Sequence, residues 1–220
     1  MRFCTSLALL LVATPALSAA EPAAKSPVAL LVPAYFYPSD AGLKQWDALL
    51  EASKDVPIIA IISPASGPGT KADANYAKVF ERVKKAKATL IGYVTTSYGK
   101  RPLADVKADV DTWLRLYPGI QGIFFDEQAS DAAQVDYYAK LYAYVRKAKG
   151  LSLVVTNPGT TCDEGYLKRP AADTACLFEG HEGFDKFRLP GWASGYSPER
   201  FAILSYDLHF LKEHAIRRHD

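Results

Sequence analysis

Gly122-Ile123-Phe124-Phe125-Asp126-Glu127 is an apolar run that stops in two adjacent carboxylates. A strand covered on both faces reads as such a continuous run. Asp and Glu are almost never fully buried unless paired, so two acids closing the strand point to a site at its C-terminal end, where parallel α/β folds carry their chemistry. A third acid, Glu179, closes the run Thr174-Ala175-Cys176-Leu177-Phe178, and Asn157 follows Ser152-Leu153-Val154-Val155-Thr156. Three carboxylates at the ends of two strands, set among aromatics and an amide, suit glycoside hydrolysis. That reaction uses one carboxyl group as acid and another as nucleophile or base across the scissile bond. The competing use of three carboxylates is an oxygen-ligated Mg²⁺ or Ca²⁺, hence a metal-dependent lyase or hydrolase. The four histidines lie away from the strand ends, so no transition-metal pattern is seen. Ser63, Ser97 and Ser205 have no evident His partner, which speaks against a serine hydrolase.

The elements that must position these residues follow a simple repeat. Apolar runs at Val28–Pro33, Pro57–Ile62, Thr89–Thr95, Gly122–Glu127, Ser152–Thr156, Thr174–Phe178 and Arg200–Tyr206 read as strands. Helical periodicity follows at about 43–52, 75–87, 103–116, 131–149 and 164–168, and again at 208–217. Asp73 is an expected helix cap. Strand-helix alternation argues for parallel strands with helical crossovers. No glycine-rich fingerprint follows the first strand, and Gly67-Pro68-Gly69 lacks the amides that would cradle phosphate. The prediction is an α/β fold, a TIM-like (β/α) barrel. Such a barrel closes with eight strands, and the pattern shows seven. An open gap between strands one and seven, or its coverage by the tail or another chain, is expected. Tyr35, Tyr37, Tyr93, Tyr98, Asn157, Trp192 and Tyr206 are the expected substrate-binding residues, most of them at strand ends, with aromatic faces suited to the C–H faces of sugar rings.

With 220 residues, the chain suits one domain. A net charge of +2 is too small to argue for nucleic acid or an anionic membrane. Arg2, the apolar stretch Leu7–Ala13 and the small residues Ala16–Ala20 read as a secretory signal over residues 1–20. A leader at 21–27 and a single domain at 28–220 would follow. The apolar stretch is too short to span a bilayer. The expected mature protein is secreted or periplasmic, free of the membrane, and a monomer. Export permits disulfides, and Cys162, after strand five, is expected to bridge Cys176 in strand six.

Seven stretches together resemble spherulation-specific family 4, the spherulin-4-like proteins. They are Val32–Pro38 (VPAYFYP), Ile61–Gly69 (IISPASGPG), Asn75-Tyr76, Ile91–Arg101 (IGYVTTSYGKR), Tyr117–Glu127 (YPGIQGIFFDE), Thr156–Thr160 (TNPGT) and Phe178–Gly180 (FEG). The resemblance runs from about Val28 to Tyr206. It implies a (β/α)-barrel glycoside hydrolase, similar to polygalactosaminidases, that cleaves α-1,4-linked N-acetylgalactosamine or galactosamine in an exopolysaccharide such as galactosaminogalactan, with no cofactor. Matched by motif, Asp126, Glu127 and Glu179 would carry the chemistry. Because successive strand residues point to opposite faces, Asp126 and Glu127 should differ in role: Asp126 is expected to act as nucleophile or stabiliser, Glu179 as acid/base and Glu127 as support. A short carboxyl separation of about 5–5.5 Å, hence retention of configuration, is expected. Strand seven ends in Ser205-Tyr206, where the family pattern leads one to expect a histidine. The alternative is a polysaccharide-binding barrel with little turnover, for want of the last strand.

Overall fold

Seven parallel strands pair in chain order: β1 (Leu30–Pro33), β2 (Ile58–Ile62), β3 (Ala88–Thr95), β4 (Gly122–Asp126), β5 (Leu153–Thr156), β6 (Thr174–Gly180) and β7 (Phe201–Ser205). They belong to a computed structural model that describes residues 28–206. The crossovers are α1 (Asp40–Ala52), α2 (Ala74–Val83), α3 (Leu103–Leu116), α4 (Val135–Ala143) and α5 (Gly165–Lys168), with two short 3₁₀ turns before β7. The strands form the expected TIM-like barrel, nearly closed. β1 and β7 approach each other but share no ladder among the described residues, so one seam stays unsealed. The expected secretory signal, the leader and the last helix lie outside the described residues.

Strand residues alternate between two apolar cores, as a period of two requires. Ile61, Ile91, Phe124, Val155, Cys176 and Leu204 fill the barrel interior. Ile62, Leu90, Val94, Ile123, Phe125, Val154 and Leu177 face the helices. On the helical side, Asp73 caps α2 as expected, accepting bonds from the Asn75 and Tyr76 amides. Trp113 of α3 lies flat on Gly92, where an added Cβ would come within 2.5 Å of its ring. The indole N–H of Trp113 donates to the Tyr93 carbonyl at 3.0 Å. Only glycine in β3 leaves room for that ring.

Three expectations are corrected. The stretch 131–149 is not one α-helix: a 3₁₀ turn at Ala132–Gln134 leads into α4, and a π turn, Tyr144–Ala148, ends it. Helical periodicity alone does not separate these windings. Strand six does not stop at Phe178 but runs through Gly180, with a bulge between Cys176 and Phe178. The Cys162–Cys176 bridge is absent, and both thiols are free and buried. Cys176 points into the barrel interior while Cys162 belongs to the outer core, so the sheet lies between them.

Candidate active site

The bulge in β6 decides which way its acid points. Before it, Cys176 pairs with Ala202, and both face the interior. Strict alternation from Cys176 would send Glu179 outward. The one-residue shift pairs Glu179 with Leu204, another interior residue, and so turns the acid inward. Phe178 takes the outward place instead, against Phe184 and Phe187.

The pairing of β5 with β6 is short, ending at Thr156↔Ala175. Beyond it the two strands part, and the loop after β5 fills the gap. The Glu179 amide donates to the Gly159 carbonyl at 3.0 Å. The Asn157 side chain spans the opening: its Nδ2 donates to Asp126 Oδ1 at 2.8 Å and to Glu179 Oε2 at 2.7 Å. Its Oδ1 accepts the Gly159 amide at 3.0 Å, which fixes the amide's orientation. Gly159, at φ +65°, supplies the left-handed turn that makes this possible. Asn157 is buried while Glu179 is exposed. One buried amide thus ties together two carboxylates that arrive on different strands.

Two tyrosines lie beside the cluster. Tyr93, on the inner face of β3, meets Tyr35 edge-on at 5.9 Å between ring centres. Burial, and then the nearby Asp126 charge, hold both phenols far above their ordinary range. They remain neutral donors. Cys176 lies below, its thiol pushed up by burial and by the charges of Glu179 and Asp126. Among the described residues, no Lys, Arg or His forms an ion pair with Asp126, Glu127 or Glu179. No group of three His, Cys, Asp or Glu among them is arranged to hold a metal ion.

Glu127 takes another direction. Its Oε2 accepts the Thr95 hydroxyl and, at 3.1 Å, the Ser97 amide. The structure therefore brings Asp126, Asn157 and Glu179 together with Tyr35 and Tyr93, while Glu127 braces the loop after β3, which carries the exposed Tyr98. Tyr37 is engaged elsewhere: its hydroxyl donates to Asp73 and accepts from Asn75 at the start of α2. Tyr206 sits at the mouth beyond β7, with its ring 5.6 Å from that of His181. Trp192 does not reach the site. It packs on Tyr196 and on Phe201, the first residue of β7, because the 3₁₀ turn that carries it precedes the strand. Sequence reasoning missed Thr95, Ser97, Gly159 and Cys176. The IGYVTTSYGKR stretch held the available signal for Thr95 and Ser97, and TNPGT that for Gly159.

The profile of spherulation-specific family 4 matches residues 29–213. Over 143 residues, 64% of this chain, the sequence is 43% identical to Spherulin-4 from Physarum polycephalum, of which it covers 42%. The fold is similar to that in the crystal structure of Aspergillus clavatus Sph3 in complex with GalNAc, with a TM-score of 0.61 and 30% identity. That likeness covers 70% of this chain and 66% of the other. The chain thus spans less than half the length of the curated relative and just under two thirds of the solved one.

Proposed function

The chain belongs to spherulation-specific family 4, and from that membership we propose that it is a glycoside hydrolase of α-1,4-linked galactosamine or N-acetylgalactosamine polymers. The observation that carries the reading is the single Asn157 amide bonded to both Asp126 and Glu179. Two such bonds from one nitrogen keep the accepting oxygens at most about 5.5 Å apart, the separation that goes with retention rather than inversion. The resemblance to a solved relative crystallised with GalNAc supports an amino sugar as ligand.

In this reading Asp126 attacks the anomeric carbon and Glu179 protonates the leaving oxygen. The glycosyl–Asp126 ester then meets a water that Glu179 deprotonates, which restores both groups. Asn157 holds the two carboxylates in place, and the neutral phenols of Tyr35 and Tyr93 donate hydrogen bonds to substrate or to Asp126. Exposed Tyr98 and Tyr206 offer ring faces along the mouth. The same proposal includes export by the N-terminal signal, a single barrel domain and a monomeric state. Among the described residues no helix is long and apolar enough to cross a membrane.

A second reading, binding without turnover, is favoured by one observation, the unsealed β1–β7 seam. Product analysis with defined galactosamine and N-acetylgalactosamine oligomers separates the two. Cleavage with retained anomeric configuration is expected. Binding without products supports the second reading, and neither binding nor cleavage overturns both.

A further inference from the structure

The loop after β3 is held in an unusual conformation. Ser97, Tyr98 and Gly99 follow one another at φ +47°, +58° and +76°, and Glu127 opposite them stands at +54°. Left-handed backbone is unfavourable for a residue with a Cβ. Three such non-glycine residues in two facing loops persist only if the surroundings impose them, and strain of this kind gathers at functional sites. Glu127 imposes it here. Its carboxylate accepts the Thr95 hydroxyl and the Ser97 amide. Its carbonyl accepts the Tyr98 amide at 2.7 Å, the Thr96 hydroxyl at 2.9 Å and the Tyr138 hydroxyl at 3.2 Å. What the strained turn delivers to solvent is the Tyr98 ring, which is 55% exposed, although its backbone is tied to the residue next to Asp126.

We propose that Glu127 is a positioning residue, locking the strained Ser97–Gly99 turn so that Tyr98 forms a fixed stacking platform for an amino-sugar ring next to the one being cleaved. The substrate half of this statement rests on the glycoside hydrolase reading; the brace does not. A pre-set ring loses little freedom when sugar stacks on it, which is where the affinity comes from. Because the carboxylate half of the brace, the bonds to Thr95 and Ser97, needs only an acceptor oxygen, Glu127→Gln keeps it and Glu127→Ala removes it, while the backbone carbonyl stays in both.

Two measurements test the proposal. In the ligand-free protein, hydrogen exchange at the Ser97 amide, whose acceptor is the Glu127 carboxylate, should quicken tenfold or more in Glu127→Ala, and by much less in Glu127→Gln; unchanged exchange in Glu127→Ala overturns the brace. The second measurement is affinity for α-1,4-linked N-acetylgalactosamine oligomers, taken on an Asp126→Asn background so that cleavage does not intervene. Tyr98→Ala and Glu127→Ala should each weaken binding about tenfold, and the double variant should be no weaker than Tyr98→Ala alone. Additive losses, or a Glu127→Gln loss as large as that of Glu127→Ala, overturn a role exerted through Tyr98. If the parent binds no amino-sugar oligomer, the platform falls together with the hydrolase reading, and the exchange result still decides the brace.

Discussion

The sheet is interrupted in two places, and they differ in kind. Where β5 and β6 part, Asn157, Gly159 and Glu179 replace the missing ladder with side-chain and loop hydrogen bonds. Where β1 and β7 meet, no ladder forms among the described residues, and Leu30 on one strand and Ile203 on the other are exposed. A gap in a sheet leaves amides and carbonyls without partners, and buried ones must be satisfied. The first gap satisfies them with groups that can also do chemistry. The second leaves apolar edge residues in solvent. The acidic cluster at the strand ends is thus built from a local failure of strand pairing that polar side chains repair.

Amide-for-carboxylate substitutions at the first gap would remove its acids while leaving its shape. Asp126→Asn and Glu179→Gln should each lower the turnover number by several orders of magnitude, with oligosaccharide still bound, because they delete interactions made in the transition state. Steady-state kinetics beside equilibrium binding reads this, and a full turnover number in either variant would remove that residue from the chemistry. Next in size is the repair itself. Asn157→Ala frees both carboxylates and should lower turnover about a hundredfold, since a small misplacement of reacting groups costs that much; an effect under threefold would mean that the bridge is idle.

Stability should separate the two places as well. Phe124→Ala empties the interior below the site, and denaturant titration should show a loss of about 3–5 kcal/mol. Ile203→Ala, at the seam, should cost less than about 1 kcal/mol, in keeping with its exposure. Equal losses would mean that the seam is packed as tightly as the wall. The smallest effect concerns pH. Burial raises Tyr138 from 10.0 to about 12, and Tyr138 braces the loops beside Glu127. Tyr76 is likewise raised to about 12 and Cys162 from 9.0 to about 11, chiefly by burial. Groups raised in the folded state hold their protons more tightly there, so their contribution is whole below pH 9 and is lost as pH climbs through 11 to 12. Melting temperatures measured from pH 8 to 12 should be flat at first and then fall; a flat curve to pH 12 would contradict these shifts.

The repeat of apolar runs and helical periods in the sequence was enough to specify a parallel barrel, because strand period, helix period and crossover length are local properties. The residue order also carried Asp126 and Asn157 to strand ends, since a strand's last residue is legible where the apolar run stops. The inward turn of Glu179 was not legible, because it depends on a bulge set by the register with β7, and register is a property of two strands together. The separation of Cys162 from Cys176 was hidden for the same reason: nearness in the chain says nothing about which face of the sheet each thiol takes. Trp192 had an aromatic face suited to a sugar, but only the tertiary path put it at the far end of β7. Side-chain type and periodicity thus determined the barrel and its candidate acids. The pairing of distant strands decided which acids meet, because a one-residue shift of register carries a side chain through the sheet.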